Sequence, residues 1–246
     1  FKPELEKMAE VNGWTLRHTH DNLKDFYDGY HFSPRNMVDI YNPFSLINAL
    51  DTQNLNSYWA SSGATSMLPT FVKNVELRLQ DFEDCMILRN TLETSDVTGG
   101  GSELFLYQSG YLTIKSCQGN IYHLGFPNEE VKQALYECVL PALTLRQEAD
   151  TQSLQAQVYQ YLEFKELGKA MKAIKALVAD VPYSNKKLAS MNMEERYRLI
   201  ISTILNSVGL RVEVERMIST GRIDLVVTTS HYIYVIELKL RNNGGK

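Results

Sequence analysis

The chain has 246 residues, 25 Lys and Arg against 29 Asp and Glu, a net charge of −4 and 44% apolar residues, a composition that excludes a disordered, collagenous or membrane-spanning chain. Its length allows one or two domains of roughly 100–200 residues each. The mild acidity argues against a general nucleic-acid coat protein, yet it averages unlike halves: residues 1–150 carry 11 basic and 20 acidic groups (net −9), residues 151–246 carry 14 and 9 (net +5).

From Phe1 to about Leu79 the pattern is helical with frequent turn breaks, as in Lys24-Asp-Phe-Tyr-Asp-Gly-Tyr30. Asn42-Pro43 reads as a turn opening a short helix through Leu46-Ile-Asn-Ala-Leu50, and Val72–Leu79 as a further helix. Tyr58 and Trp59 read as packing residues. A small α+β stretch follows over 80–145: a helix at Phe82–Leu92, a break at Gly99-Gly-Gly101, and a β-ribbon of Leu104–Tyr107 and Tyr111–Ile114 around Ser109-Gly110. Ile121–Leu124 comes next, then a helix from Asn128, its cap, through Leu140. A helix followed by a β-ribbon resembles a winged-helix arrangement.

The longest helical pattern runs from Ser153 to Val178, with Leu167, Met171, Ile174 and Val178 along one face. Lys165, Lys169, Lys172 and Lys175 recur on another, a stripe that either follows a phosphate backbone or is a solvated face. Pro182 and Ser184-Asn-Lys-Lys187 break the chain before a second helix, Met193 to Val208, stopped by Gly209. Three strands then follow closely: Leu210–Met217, Gly221–Thr228 and Tyr232–Leu240.

The chemistry concentrates in those last strands. A hairpin centred between Ser230 and His231 pairs positions summing to 461, which sets Asp224 opposite Glu237 on one sheet face, with Lys239 two residues further along it. Two carboxylates side by side repel, and a divalent cation resolves the repulsion. Mg²⁺ or Mn²⁺ takes one or two carboxylates plus waters and substrate phosphates, and a neighbouring lysine orients or deprotonates an attacking water. The set suits phosphodiester hydrolysis, whereas a plain surface hairpin with a Glu–Lys rung is the structural alternative.

Arg222-Ile-Asp224, twelve residues, and Glu237-Leu-Lys239 resemble the PD-(D/E)XK nuclease superfamily, whose core is a helix, three antiparallel strands, a helix and a further strand. The resemblance implies Asp224 and Glu237 as metal ligands and Lys239 as the residue serving the water. It also implies an acid on the first helix, where Glu195 stands; Asn192-x-x-Glu195 fits a helix-capping box equally. Asp28-Gly-Tyr30, Tyr41-Asn-Pro-Phe-Ser45, Tyr58-Trp59, Tyr107-Gln-Ser-Gly-Tyr-Leu-Thr113 and Leu124-Gly-Phe-Pro-Asn128 further resemble bacterial proteins in which an AAA-ATPase-like domain precedes such a nuclease-like domain. No G-x-x-x-x-G-K-[ST] phosphate loop occurs, so ATP binding is expected only in a portion before Phe1, and the family core continues past Lys246.

The expected fold is therefore α/β: residues 1–80 a helical ATPase-lid remnant, 81–150 a small winged-helix-like unit, and 151–246 a restriction-endonuclease-like core cut at its C-terminus. The expected function is Mg²⁺-dependent DNA hydrolysis coupled to an ATPase-like part; the alternative is a non-catalytic, nuclease-like interaction module. DNA is the expected partner, with homo-oligomers formed through the ATPase-like part and no membrane association. Cys85, Cys117 and Cys138 have no C-x-x-C spacing, no signal peptide opens the chain, and a cytoplasmic setting is expected. His18 and His20, with lone His123 and His231, do not form a metal site by spacing.

Overall fold

In the computed structural model, residues 1–62, 82–93, 101–144, 148–179, 181, 192–219 and 221–239 are described. They fall into two compact units, Phe1–Leu135 and Tyr136–Lys246, so the expected break at 150 lies inside the second. No helix among the described residues is long and apolar enough to cross a membrane.

The first unit begins with α1 (Lys2–Asn12), α2 (Leu16–Tyr27) and α3 (Pro43–Thr52), packed around Met8, Leu23, Tyr27, Ala49 and Leu50. Asn42 Oδ1 accepts from the Phe44 and Ser45 N–H groups and Pro43 takes the first turn, where its missing N–H costs nothing, as the sequence predicts. The expected helix Val72–Leu79 lies outside the described residues. Trp59 packs edge-on against Tyr111, ring centroids 4.7 Å apart.

The sheet of this unit has the order β1-β3-β2, from β1 (Cys85–Leu88), β2 (Thr113–Gln118) and β3 (Ile121–Gly125). Two expectations fail here. Phe82–Leu92 is not a helix, because Cys85-Met-Ile-Leu88 pairs antiparallel with Ile121–Leu124 and only the single turn α4 (Arg89–Leu92) is helical. Leu104–Tyr107 lies in α5 (Gly101–Gln108), where Leu104 and Leu106 are fully buried, so the ribbon is β2–β3 instead. Tertiary pairing decided both short apolar runs, which periodicity alone does not separate.

Helix α6 (Glu129–Thr144) opens as expected on Asn128, whose Oδ1 accepts from Val131 N–H at 3.1 Å. Glu130 is fully buried and accepts from the Tyr58 and Trp59 N–H groups at 2.7 and 2.8 Å. Burial lifts its carboxyl above the ordinary range against those hydrogen bonds. Gly29, at φ +102, has Pro127 O where a Cβ would sit 2.3 Å away, so no other residue fits there.

In the second unit α7 (Glu148–Glu163), α8 (Leu167–Ala179) and α9 (Met193–Ser207) pack with the sheet β4 (Arg211–Ile218), β5 (Gly221–Thr228) and β6 (Ile233–Ile236), in that order. The core joins Leu162, Ile174, Leu177, Ile200, Ile204, Val212, Leu225 and Val227. The expected continuous helix Ser153–Val178 is broken: Lys165 sits at φ +58, and the Glu166 N–H bonds back to Tyr161 O at 2.7 Å. The break lets α7 and α8 pack on each other, and it moves the buried face of α8 to Ala170, Ala173, Ile174 and Leu177 while Leu167 and Met171 stay exposed. The turn between these helices also holds the β5–β6 turn: Glu163 Oε1 accepts from Ser230 N–H at 3.0 Å, Tyr234 Oη donates to Leu162 O at 2.6 Å, and Lys165 Nζ lies 5.4 Å above the Tyr232 ring.

Candidate functional site

The helix and the first two strands of the second unit lie close to their predicted bounds, and the β5–β6 register is as predicted, but the third strand, expected over Tyr232–Leu240, ends at Ile236, so Glu237, Leu238 and Lys239 lie just beyond it. Leu225 pairs with Ile236, Val226 with Val235, Val227 with Tyr234 and Thr228 with Ile233, every pair summing to 461. The last rung is Leu225–Ile236, and continuing the same sum one step past it would set Asp224 opposite Glu237. Past that rung the contact is made by a side chain: Asp224 Oδ2 accepts the Leu238 N–H at 2.8 Å, placing the carboxylate against the peptide that joins Glu237 to Leu238. Asp224 is buried, at 5% exposure, while Glu237 and Lys239 are exposed.

Two residues at this site carry no sequence motif. Arg198, buried in the middle of α9, donates from Nη1 to Glu215 of β4 and stands 3.7 Å from Asp224 Oδ1. Glu215 also pairs with Arg222 at 2.9 Å. The β4–β5 pairs sum to 439, so Glu215 falls opposite Asp224, between the rungs Val214–Leu225 and Arg216–Ile223. It adopts φ +53, a left-handed conformation uncommon for a residue with a side chain. A detectable signal exists for Arg198: a cation set in the apolar run Leu199-Ile-Ile201 of an amphipathic helix must find a carboxylate when buried.

Glu195 is exposed near the N-terminus of α9, one turn before Arg198, and its N–H is bonded by Asn192 Oδ1 at 2.9 Å, which is the capping contact. The lysine stripe is divided by the helix break. Lys165 lies in the turn over Tyr232, Lys169 pairs with Glu166 at 2.9 Å, and Lys172 and Lys175 project from exposed positions of α8. His123 pairs with Asp84 at 2.9 Å, and His18 packs edge-on against Trp14. In the first unit a cleft of about 370 Å³ is lined by Tyr30, Phe32, Tyr41, Phe44 and Trp59, with no carboxylate, amine or imidazole in its wall.

The donor set fits a hard divalent cation of the kind that keeps most of its waters. Among the described residues no group of three or more His, Cys, Asp or Glu converges on one point. Asp224 and Glu237 offer two carboxylates, within the one or two that Mg²⁺ takes from protein. Asp224 Oδ2 keeps lone pairs beyond the one used by Leu238, and among the described residues Oδ1 accepts no hydrogen bond, facing Arg198 across 3.7 Å.

Residues 192–246 match the family model described as the PD-(D/E)XK nuclease superfamily, and the span includes Asp224, Glu237 and Lys239. Among curated proteins, the chain is 27% identical over 253 residues to an uncharacterized protein in the vnfD 5′ region of Azotobacter chroococcum mcd 1. That alignment covers 98% of this chain and 45% of the relative, so the chain spans less than half of that protein's length. No solved structure gives a significant match.

Proposed function

We propose that this protein is a divalent-metal-dependent nuclease that hydrolyses DNA phosphodiester bonds, with Asp224 and Glu237 holding the metal. The observation that carries the reading is the contact of Asp224 with the Leu238 N–H, in the Glu237-Leu-Lys239 segment that follows β6, within the span that matches the PD-(D/E)XK superfamily model. A bound Mg²⁺ or Mn²⁺ would supply Lewis-acid polarisation of the phosphate and a water of lowered pKa. Lys239, exposed two residues after Glu237 in the segment that follows β6, is suited to orient that water or take its proton and to offset charge developing on the phosphate. Glu195 on α9 is the further acid that the family resemblance implies, although it does not converge with Asp224 and Glu237 on one point, and Lys165, Lys169, Lys172 and Lys175 are candidates for phosphate contacts.

The likeness of residues 28–128 to bacterial AAA-ATPase-like proteins supports a coupled arrangement, in which residues 1–80 belong to the ATPase lid and 81–150 form a winged-helix-like unit. In that arrangement ATP binds elsewhere in the protein and the ATPase-like part mediates self-association. A second reading, a nuclease-like platform without catalysis, draws support from Arg198, a fixed cation already beside Asp224.

The test is cleavage of supercoiled, linear and single-stranded DNA by the chain with Mg²⁺ or Mn²⁺, comparing wild type with Asp224→Asn and Glu237→Gln. Metal-dependent cleavage lost in both variants supports the nuclease. Cleavage of equal rate in all three sinks the assignment of these residues. Absence of cleavage, together with Mn²⁺ binding that Glu237→Gln leaves unchanged, favours the platform.

A further inference from the structure

We infer that Arg198 is a built-in counter-ion at the metal position, a positioning residue whose guanidinium competes with a divalent cation for Asp224, and that Glu215 sets the strength of that competition by holding Arg198 away. The inference rests on the reading of Asp224 as a metal ligand.

Arg198 lies in the core-facing part of α9 with 5% exposure. A buried guanidinium cannot shed its charge and needs a carboxylate partner. Among the described residues two are within reach, and they are not equivalent. The contact with Glu215 is a direct hydrogen bond, whereas the 3.7 Å to Asp224 Oδ1 is too long for one and acts through charge alone.

Asp224 is thereby half committed. Oδ2 is fixed by Leu238 N–H, and Oδ1, the oxygen left for a cation, lies within the field of Arg198. A divalent ion at Oδ1 must be accommodated beside that positive charge. At an effective dielectric of about 20, charges a few ångströms apart interact strongly enough to shift an affinity by an order of magnitude.

Glu215 controls how close the guanidinium can come. Its left-handed backbone inside β4, flanked by ordinary rungs on both sides, directs its carboxylate to Arg198 and to Arg222 at once. Such conformations persist where the surroundings over-determine them, and they cluster at functional sites. With the Glu215 charge removed, Asp224 becomes the remaining carboxylate of the pair, and Arg198 is drawn onto Oδ1.

The inference is tested by calorimetric titration of Mn²⁺ into the chain at constant ionic strength. Arg198→Gln should tighten Mn²⁺ binding roughly tenfold and Glu215→Gln should weaken it roughly tenfold. Arg198→Lys, which keeps the charge, should stay near wild type. In the double variant, Glu215→Gln should change affinity less than threefold, because its effect runs through Arg198. An equal weakening by Glu215→Gln with and without Arg198 overturns the inference, as does unchanged or weaker binding in Arg198→Gln. If Arg198→Gln does not fold, Glu215→Gln decides, and an unchanged affinity there is fatal. Binding by wild type that Asp224→Asn abolishes leaves the metal reading standing even if the Arg198 inference falls. Absence of Mn²⁺ binding in wild type and Arg198→Gln alike removes both.

Discussion

Asp224→Asn keeps the shape of the side chain and an oxygen for the Leu238 N–H while removing the charge beside Arg198. At 3.7 Å and an effective dielectric of about 20 the lost attraction has a ceiling of about 4 kcal/mol. Relief of the desolvation of a carboxylate only 5% exposed offsets much of it, and Arg198 retains Glu215, so the net loss is about 1–2 kcal/mol. Asp224→Ala also strands the Leu238 N–H, at a further cost of about 1–3 kcal/mol. Urea unfolding of the whole chain separates these effects. Both tryptophans, Trp14 and Trp59, lie in the first unit, so their fluorescence reports that unit, while far-UV circular dichroism reports both. The alanine variant should shift the dichroism transition more than the asparagine variant. Equal shifts for the two variants, or no shift in either, would refute the reasoning that Asp224 closes the strand end.

Glu130 gives a pH dependence of opposite sign from that of a salt-bridged acid. Its carboxyl is raised by burial, so the folded unit binds this proton more tightly than the unfolded chain, whose value is about 4.3. Its contribution is therefore fully present below that value and is lost as pH rises through the folded one. Glu130→Gln retains an acceptor for Tyr58 and Trp59, and its melting temperature by tryptophan fluorescence should gain on wild type between pH 4 and pH 7; parallel profiles would contradict this. Lys172→Gln and Lys175→Gln should each reduce the slope of log affinity against log salt for duplex DNA by about 0.9, read by anisotropy at several salt concentrations. Lys169→Gln should do less, because Glu166 already engages its ammonium; DNA affinity unmoved by Lys172 and Lys175 together would remove α8 from the interface.

Legibility of the sequence differed sharply between the two units, for physical reasons. Between Thr228 and Ile233 the chain offers one polar break between two apolar runs, so turn position determines the register of the four rungs from Thr228–Ile233 to Leu225–Ile236, while the Asp224 contact with the Leu238 N–H lies past the ladder and is not given by it. Asn42 and Asn128 likewise announce their helices through local side-chain chemistry. Cys85–Leu88 and Leu104–Tyr107 carry no such local mark, since each is a four-residue apolar run whose state is set by distant partners. The break at Lys165 is hidden because no Gly or Pro occupies it, and packing of α7 on α8 outweighs the continuity of the helical pattern. The Arg198–Glu215 contact joins a helix to a strand 17 residues on, and motif spacing within one hairpin cannot register it.

The fastening of the β5–β6 turn by Glu163, Lys165 and Tyr234 acts as a clamp at one end of a ruler whose other end carries Asp224 and the proposed metal site. Parity makes the ruler unforgiving: sliding β6 by a single residue would swap its faces and carry the Glu237 carboxylate to the wrong side of the sheet. Loosening that clamp would therefore disturb the proposed metal site at a distance, through a population of chains whose strands are paired one step out, with Asp224 and Glu237 both still present.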